Sequence, residues 1–167
     1  MGAGKTKVGR LVAERIGRPF VDTDDLVEER AGRPISEIFA RDGEEAFRRL
    51  ETEAIAFALS GEPEVIALGG GAATREENWG LLTDANAITI YLKAQPETIL
   101  DRVADHGHRP LLAGLDRAGM LEKITRMLAQ REPWYLKAQF VIASDGSPDK
   151  YAMADTVVER LKMLGTS

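Results

Sequence analysis

Gly2-Ala3-Gly4-Lys5-Thr6 forms the closing half of G-x-x-x-x-G-K-[ST], the loop whose backbone N–H groups wrap nucleotide phosphates. In that motif the lysine, here Lys5, reaches the β- and γ-phosphates, and the hydroxyl of Thr6 sits on Mg2+. Two further clusters can meet such a loop. Asp22-x-Asp24 closes one apolar stretch, and Gly69-Gly70-Gly71 closes another. Ligands of an open parallel sheet bind beyond the carboxyl ends of its strands, so all three clusters converge on one crevice.

Asp22 and Asp24 stand two apart, which on a strand turns both side chains to one face. Beside a triphosphate, one carboxylate can order Mg2+ and its waters while the other binds an acceptor hydroxyl. The plainer alternative is helix capping, a role for which Asp25 is better placed. Arg48 and Glu51 are three apart and share one side of a helix. An arginine fork there can take a carboxylate in bidentate fashion, although the same pair alone also reads as a solvated charge row. The three glycines let a backbone approach a ligand with no side chain between, or form a plain loop. His106-Gly107-His108-Arg109-Pro110 reads as a hinged flap that can carry Arg109 over the phosphates. The two histidines lack acid or cysteine partners and read as bystanders rather than metal ligands. Arg131 is either a partner for a helix C-terminus or a second anion clamp.

Alternating strands and helices must position these groups. A helix runs from Lys7 to Ile16 and stops at Gly17. A strand from Pro19 to Asp24 precedes a helix from Asp25 to about Ala31. A short helix follows from Ile35 to Phe39, with Ser36 as its expected cap. Glu44 to Leu59 is the longest amphipathic stretch, with Phe47, Leu50, Ala54, Ile55, Ala58 and Leu59 on one face. Glu64 to Leu68 and Ala87 to Leu92 are continuous apolar runs, the pattern of strands covered on both faces. Pro96 opens a helix through Arg102. The remainder is a helix over Ala118–Arg131, a strand over Phe140–Ile142 and a closing helix over Asp149–Leu164. Such alternation predicts an α/β fold with a parallel sheet.

The chain has 167 residues, 22 basic against 27 acidic, for a net charge of −5. That balance argues against a general nucleic-acid binder. There is no cysteine, so neither a disulfide framework nor a thiolate metal site. No apolar run approaches the roughly 20 residues that span a bilayer, and no secretory signal pattern is present. The expectation is a cytoplasmic protein that does not engage membranes.

Taken in order, these motifs resemble the shikimate kinase family over nearly the whole length. They are Met1-Gly2-Ala3-Gly4-Lys5-Thr6, Phe20-Val21-Asp22-Thr23-Asp24, Ile38-Phe39 with Gly43-Glu44, and Phe47-Arg48-x-x-Glu51. Gly69-Gly70-Gly71-Ala72, Arg109-Pro110-Leu111-Leu112 and Arg131-x-Pro133-x-Tyr135 complete the set. The resemblance implies a three-layer α/β/α sandwich of the P-loop, nucleoside-monophosphate-kinase-like class. It implies one domain over 1–167, a lid at about 105–118 and shikimate-binding helices at about 25–60. The implied reaction moves the γ-phosphoryl of ATP to the 3-hydroxyl of shikimate, with one Mg2+, in aromatic amino-acid biosynthesis. The catalytic set would be Lys5, Asp24 and Arg109. Shikimate would meet Asp24, Arg48, Glu51, Gly69, Gly70, Gly71 and Arg131. ATP would meet Gly2, Ala3, Gly4, Lys5, Thr6, Lys7, Arg102, Arg109, Ser147 and Pro148. The metal would lie on Thr6 and, through water, on Asp22. A monomer is expected.

Lys7 departs from the family's usual Ser or Thr. The strand that should feed the phosphate loop is also absent. The expectation is that the true start lies upstream and that Met1 is internal to the loop. Four large apolar side chains of such a strand would contribute about 6–12 kcal/mol, against a typical domain stability of about 5–15 kcal/mol. The competing readings are a gluconate kinase-like enzyme and a non-catalytic nucleotide-binding paralogue.

Overall fold

Glycine geometry sets the first helix. α1 (Lys5–Ile16) starts from Gly4 at φ 89° and ends on Gly17 at φ 64°, both left-handed positions that glycine adopts without a Cβ penalty. The computed structural model describes residues 2–62, 64–104, 112, 114–144 and 149–165.

Strand β1 (Phe20–Asp22) passes directly into α2 (Thr23–Ala31). The strand therefore ends two residues before the expected Asp24. Asp22 is the cap, its Oδ1 accepting from the Asp24 N–H at 3.1 Å, so Asp25 does not fill that role. A helix start leaves amide donors orphaned, and a carboxylate at the strand end satisfies one of them. The two acids meet through this cap geometry rather than through strand alternation.

α3 (Ile35–Leu59) is two helices end to end, because Gly43 sits at φ 84°, ψ 176°. Pro34 occupies the N-cap, and the Ile35 N–H donates to Glu28 Oε1 of α2 at 2.8 Å. The expected Ser36 cap is thereby displaced by an acceptor from the neighbouring helix. After β2 (Val65–Ala67) come a 3-10 turn (Ala72–Thr74) and α4 (Glu76–Asp84), neither of which the sequence pattern announced. Buried Asn78 ties them together, donating to Ala72 O and accepting from the Thr52 hydroxyl, each at 2.8 Å.

β3 (Ile90–Lys93), α5 (Pro96–Ala104), α6 (Arg117–Tyr135), β4 (Phe140–Ala143) and α7 (Lys150–Met163) complete the order. α6 runs four residues past the expected end at Arg131, through Pro133. Asp116 caps its start by accepting from the Gly119 N–H at 2.8 Å.

The strands are parallel, as expected, but form two pairs rather than one sheet. β1 pairs with β2, Val21 opposite Ile66, and β3 pairs with β4, Tyr91 opposite Val141. Between the pairs lies an apolar cavity of about 730 Å³. Val8 and Val12 of α1 and Val157 of α7 cover one side; Leu82 of α4 and Ile124 and Leu128 of α6 cover the other. This is an α/β/α layering, with one core of α1 and α7 against Leu92 and Ile142. A second core joins α5 to Ile124, and a third locks α2 to α3 through Val27, Ile38, Phe47 and Ala54. Among the described residues no helix is long and apolar enough to cross a membrane.

Candidate active site

The phosphate loop is held by its carbonyls. Arg102 of α5 donates to Gly2 O at 3.4 Å, to the Ser144 hydroxyl at 2.8 Å and to Ser144 O at 2.7 Å. Buried Ser144 in turn donates to Ala3 O at 3.3 Å. A Cβ on Gly2 would come within 2.9 Å of Ile99 Cγ2, so glycine lets the loop lie against α5. The Gly4 carbonyl accepts the first helical bond, from the Val8 N–H at 2.9 Å. The head of α1 thus has the geometry of a helix N-terminus at the end of a glycine-rich loop, which the motif requires.

Thr6 donates its hydroxyl proton to Asp22 Oδ2 at 2.7 Å. The strand-end carboxylate and the loop hydroxyl therefore form one oxygen cluster. Asp24, two residues further on in the first turn of α2, has its carboxyl pKa pushed up, mainly by burial and then by the charge of Asp22. Lys5 opposes that rise, which places its positive charge within reach of Asp24.

Across from the loop, Arg48 donates to Glu51 Oε2 at 2.8 Å and to Glu44 Oε1 at 3.2 Å. The Arg48 side chain is 16% exposed and that of Glu51 1%, so this is no solvated charge row. Burial opposes the Arg48 charge, but hydrogen bonds and charge from Glu51 and Glu44 outweigh it and raise its pKa. Glu51 is also raised, by burial first, with Arg48 pulling the other way.

The glycine run joins both halves. The Gly69 N–H donates to the hydroxyl of buried Thr23 at 2.8 Å, and that hydroxyl donates to Ala67 O at 3.4 Å. A Cβ at Gly69 would stand 2.5 Å from Asp24 Oδ1 and 2.8 Å from Glu51 Oε1. A Cβ at Gly71 would stand 2.7 Å from Arg48 Nη2. Gly70 O accepts from the Tyr135 hydroxyl at 2.5 Å and from Arg131 Nη1 at 3.3 Å. The Tyr135 ring lies on Tyr91 with centroids 5.1 Å apart, and burial raises its phenol pKa.

The structure therefore gathers Lys5, Thr6, Asp22, Asp24, Arg48, Glu51, Gly69, Gly70, Gly71 and Arg131 around one crevice. Arg131 serves the glycine loop and not the end of its helix, which continues to Tyr135. Arg102 lies under the phosphate loop, and Lys7 points to solvent. Arg109, Ser147 and Pro148, with His106, His108 and Pro110, lie outside the described residues. Ser144 was not named from sequence, and Thr23 and Tyr135 were named only as members of motifs, without a role. Their only signal is position: a hydroxyl between two acids, one after the last strand, and one closing Arg-x-Pro-x-Tyr.

Parallel strands, a G-K-T loop heading a helix and a charged cluster at the same strand ends are the features of the P-loop kinase class. The family model for shikimate kinase matches residues 1–162. A shikimate kinase of Symbiobacterium thermophilum is 48% identical over 98% of this chain and 91% of that protein. One from Moorella thermoacetica is 44% identical over 97% of this chain and 90% of its own. Among solved structures, the Acinetobacter baumannii shikimate kinase in complex with shikimate superposes with a TM-score of 0.85. It is 32% identical and the match covers 98% of this chain and 89% of that one. The Bacteroides thetaiotaomicron shikimate kinase superposes with a TM-score of 0.88 at 32% identity, covering 98% and 93%. The chain belongs to the shikimate kinase family. It is an ATP-dependent phosphotransferase acting on a shikimate hydroxyl.

Proposed function

We propose that Asp24 and the Arg48–Glu51 pair, meeting over Gly69–Gly71 opposite the phosphate loop, hold shikimate for attack on the γ-phosphate of ATP. That juxtaposition carries the reading: a ligand with a carboxylate and several hydroxyls needs an arginine fork and a carboxylate acceptor, both facing the phosphates. Arg48 takes the carboxylate, Glu51 fixes the orientation of Arg48, and Arg131 adds a second cation beside the Gly70 carbonyl. Asp24 accepts the hydrogen bond of the 3-hydroxyl. As that oxygen bonds to phosphorus and the bond to the β–γ bridging oxygen breaks, the hydroxyl proton passes to Asp24 and ADP leaves. A raised carboxyl pKa suits this task, since it makes Asp24 a better proton acceptor than a free aspartate.

Lys5 and the loop amides neutralise phosphate charge, which is most of what phosphoryl transfer asks of a protein. The Thr6 hydroxyl and the Asp22 carboxylate suit Mg2+, an ion that favours oxygen donors and keeps several waters and phosphate oxygens. When bound there, Mg2+ supplies further neutralisation of charge developing on the transferred group. Arg109 acts as the lid cation, within a lid over about 105–118. Ser147 and Pro148 flank the adenine beside Arg102. The enzyme works as a single kinase domain, as a cytoplasmic monomer.

The test is a coupled ADP-release assay with Mg·ATP, comparing shikimate with gluconate. Release stimulated by shikimate and not by gluconate supports the reading. Equal stimulation by both defeats the acceptor assignment, and no stimulation of a folded protein defeats turnover.

A further inference from the structure

β1 and β2 run in register from Phe20 opposite Val65 to Asp22 opposite Ala67. Every second residue of β2 turns its backbone toward β1, beginning with the Val65 N–H on Pro19 O at 2.9 Å. The same spacing carries the Gly69 N–H to the carbonyl of Thr23. That carbonyl points along α2 instead, because Thr23 is the first residue of the helix. The side chain of Thr23 fills the rung that the strand has left. Its hydroxyl accepts from the Gly69 N–H at 2.8 Å and donates to Ala67 O at 3.4 Å. Thr23 is fully buried, so solvent does not satisfy these groups when the hydroxyl is missing.

This replacement of backbone by side chain decides where the two acids go. A strand that kept its ladder through Thr23 would hold Asp24 as a strand residue, on the same face as Asp22. With the hydroxyl closing the last rung, the chain turns into α2 directly after Asp22, while β2 stays attached as far as Gly69. Asp22 then caps the helix and meets the Thr6 hydroxyl. Asp24 is carried in the first turn to Gly69, where a Cβ would stand 2.5 Å from its Oδ1. We propose that Thr23 is a positioning residue for phosphoryl transfer, its hydroxyl replacing one backbone rung so that Asp24 is fixed against the glycine loop. The task needs a short side chain that both accepts and donates, which selects threonine or serine. Thr23, being buried, touches no substrate itself. Its role rests on the proposed function of Asp24 as acceptor of the hydroxyl proton, and the two fail separately.

The experiment compares Thr23→Val, which keeps the shape without the hydroxyl, with Thr23→Ser, which keeps the hydroxyl. Steady-state kinetics with shikimate and ATP varied in turn are read beside a thermal melt, each variant assayed well below its own Tm. In Thr23→Val, kcat should fall about 10- to 100-fold, the scale of a misplaced reacting group. KM for ATP should stay within about twofold, and Thr23→Ser should recover the parent kcat within about threefold. Thr89→Val is the structural control. It removes a hydroxyl that accepts the Gln139 N–H at 3.1 Å just before β3, away from the acids, and should lower Tm without altering kcat. Thr23→Cys covers the case in which the valine variant does not fold. Its thiol is only a weak donor and acceptor, so its kcat should lie about fivefold or more below that of Thr23→Ser. A folded Thr23→Val with the parent kcat overturns the proposal, as does Thr23→Cys equal to Thr23→Ser. So does a serine variant as impaired as the valine one, or a KM for ATP that rises as far as kcat falls. Asp24→Asn separates the two layers. Turnover retained in that variant defeats the assignment of Asp24 and this inference with it, whereas a dead Asp24→Asn beside a fully active Thr23→Val overturns this inference alone.

Discussion

Gly71→Ala separates positioning from folding more cleanly than any change to a charged residue. Gly71 has φ −95°, a conformation alanine adopts freely, so the substitution adds one methyl group and no backbone strain. That Cβ would stand 2.7 Å from Arg48 Nη2 and 2.8 Å from Cζ, with Nη1 closer still. Ordinary contact begins near 3.5 Å, so the guanidinium, judged by its nearer nitrogen, must retreat by about 1 Å. A flexible side-chain tip can do that at small cost in folding, and reduced chain entropy of the unfolded state contributes about 0.4–1 kcal/mol in the other direction. Function is less forgiving, because binding groups need placement within about 0.5 Å. Loss of a charge-assisted hydrogen bond costs about 1.5–3 kcal/mol, which converts to a rise of roughly 10- to 150-fold in KM for shikimate. Steady-state kinetics with each substrate varied in turn, beside a thermal melt, decides it. KM for ATP and Tm should move little. Gly80→Ala, on α4 with nothing near its Cβ, serves as the silent control. A KM for shikimate within twofold of the parent, or an equal rise for ATP, would refute the clamp.

Asp24→Asn should abolish turnover and yet raise Tm at neutral pH. The folded carboxyl has a raised pKa, so its stability contribution is present at acid pH and is lost as pH rises through the folded value. The variant's advantage should therefore vanish below the ordinary aspartate range, and a pH-independent difference in Tm would contradict the burial argument. Tyr135→Phe removes the hydroxyl on Gly70 O and should raise KM for shikimate about 2- to 12-fold, from about 0.5–1.5 kcal/mol for a neutral hydrogen bond. An unchanged value would show that Gly70 needs no strap. Arg102→Ala releases both Gly2 and Ser144 and should weaken ATP binding well beyond shikimate binding, as measured by calorimetry with each ligand. Equal losses would mean general destabilisation.

The family and the chemistry were legible in the sequence because they reside in short, ordered motifs. Gly4-Lys5-Thr6 must head a helix, Arg48 and Glu51 must share a helical face, and Gly69–Gly71 must follow a strand. Local spacing fixes each of these relations, and the structure reproduces all three. Tertiary structure decided what depends on distant neighbours. Glu28 of α2 took the cap role expected of Ser36. Asp22 became the cap that brings Asp24 to the glycines, and the helix bearing Arg131 ran on until Tyr135 could reach Gly70. Strand pairing was the least legible feature. An apolar run specifies a buried strand, but its hydrogen-bond partners are chosen by whichever backbone edges packing brings alongside. Here β1 pairs with β2 and β3 with β4, and an apolar cavity lies between the pairs.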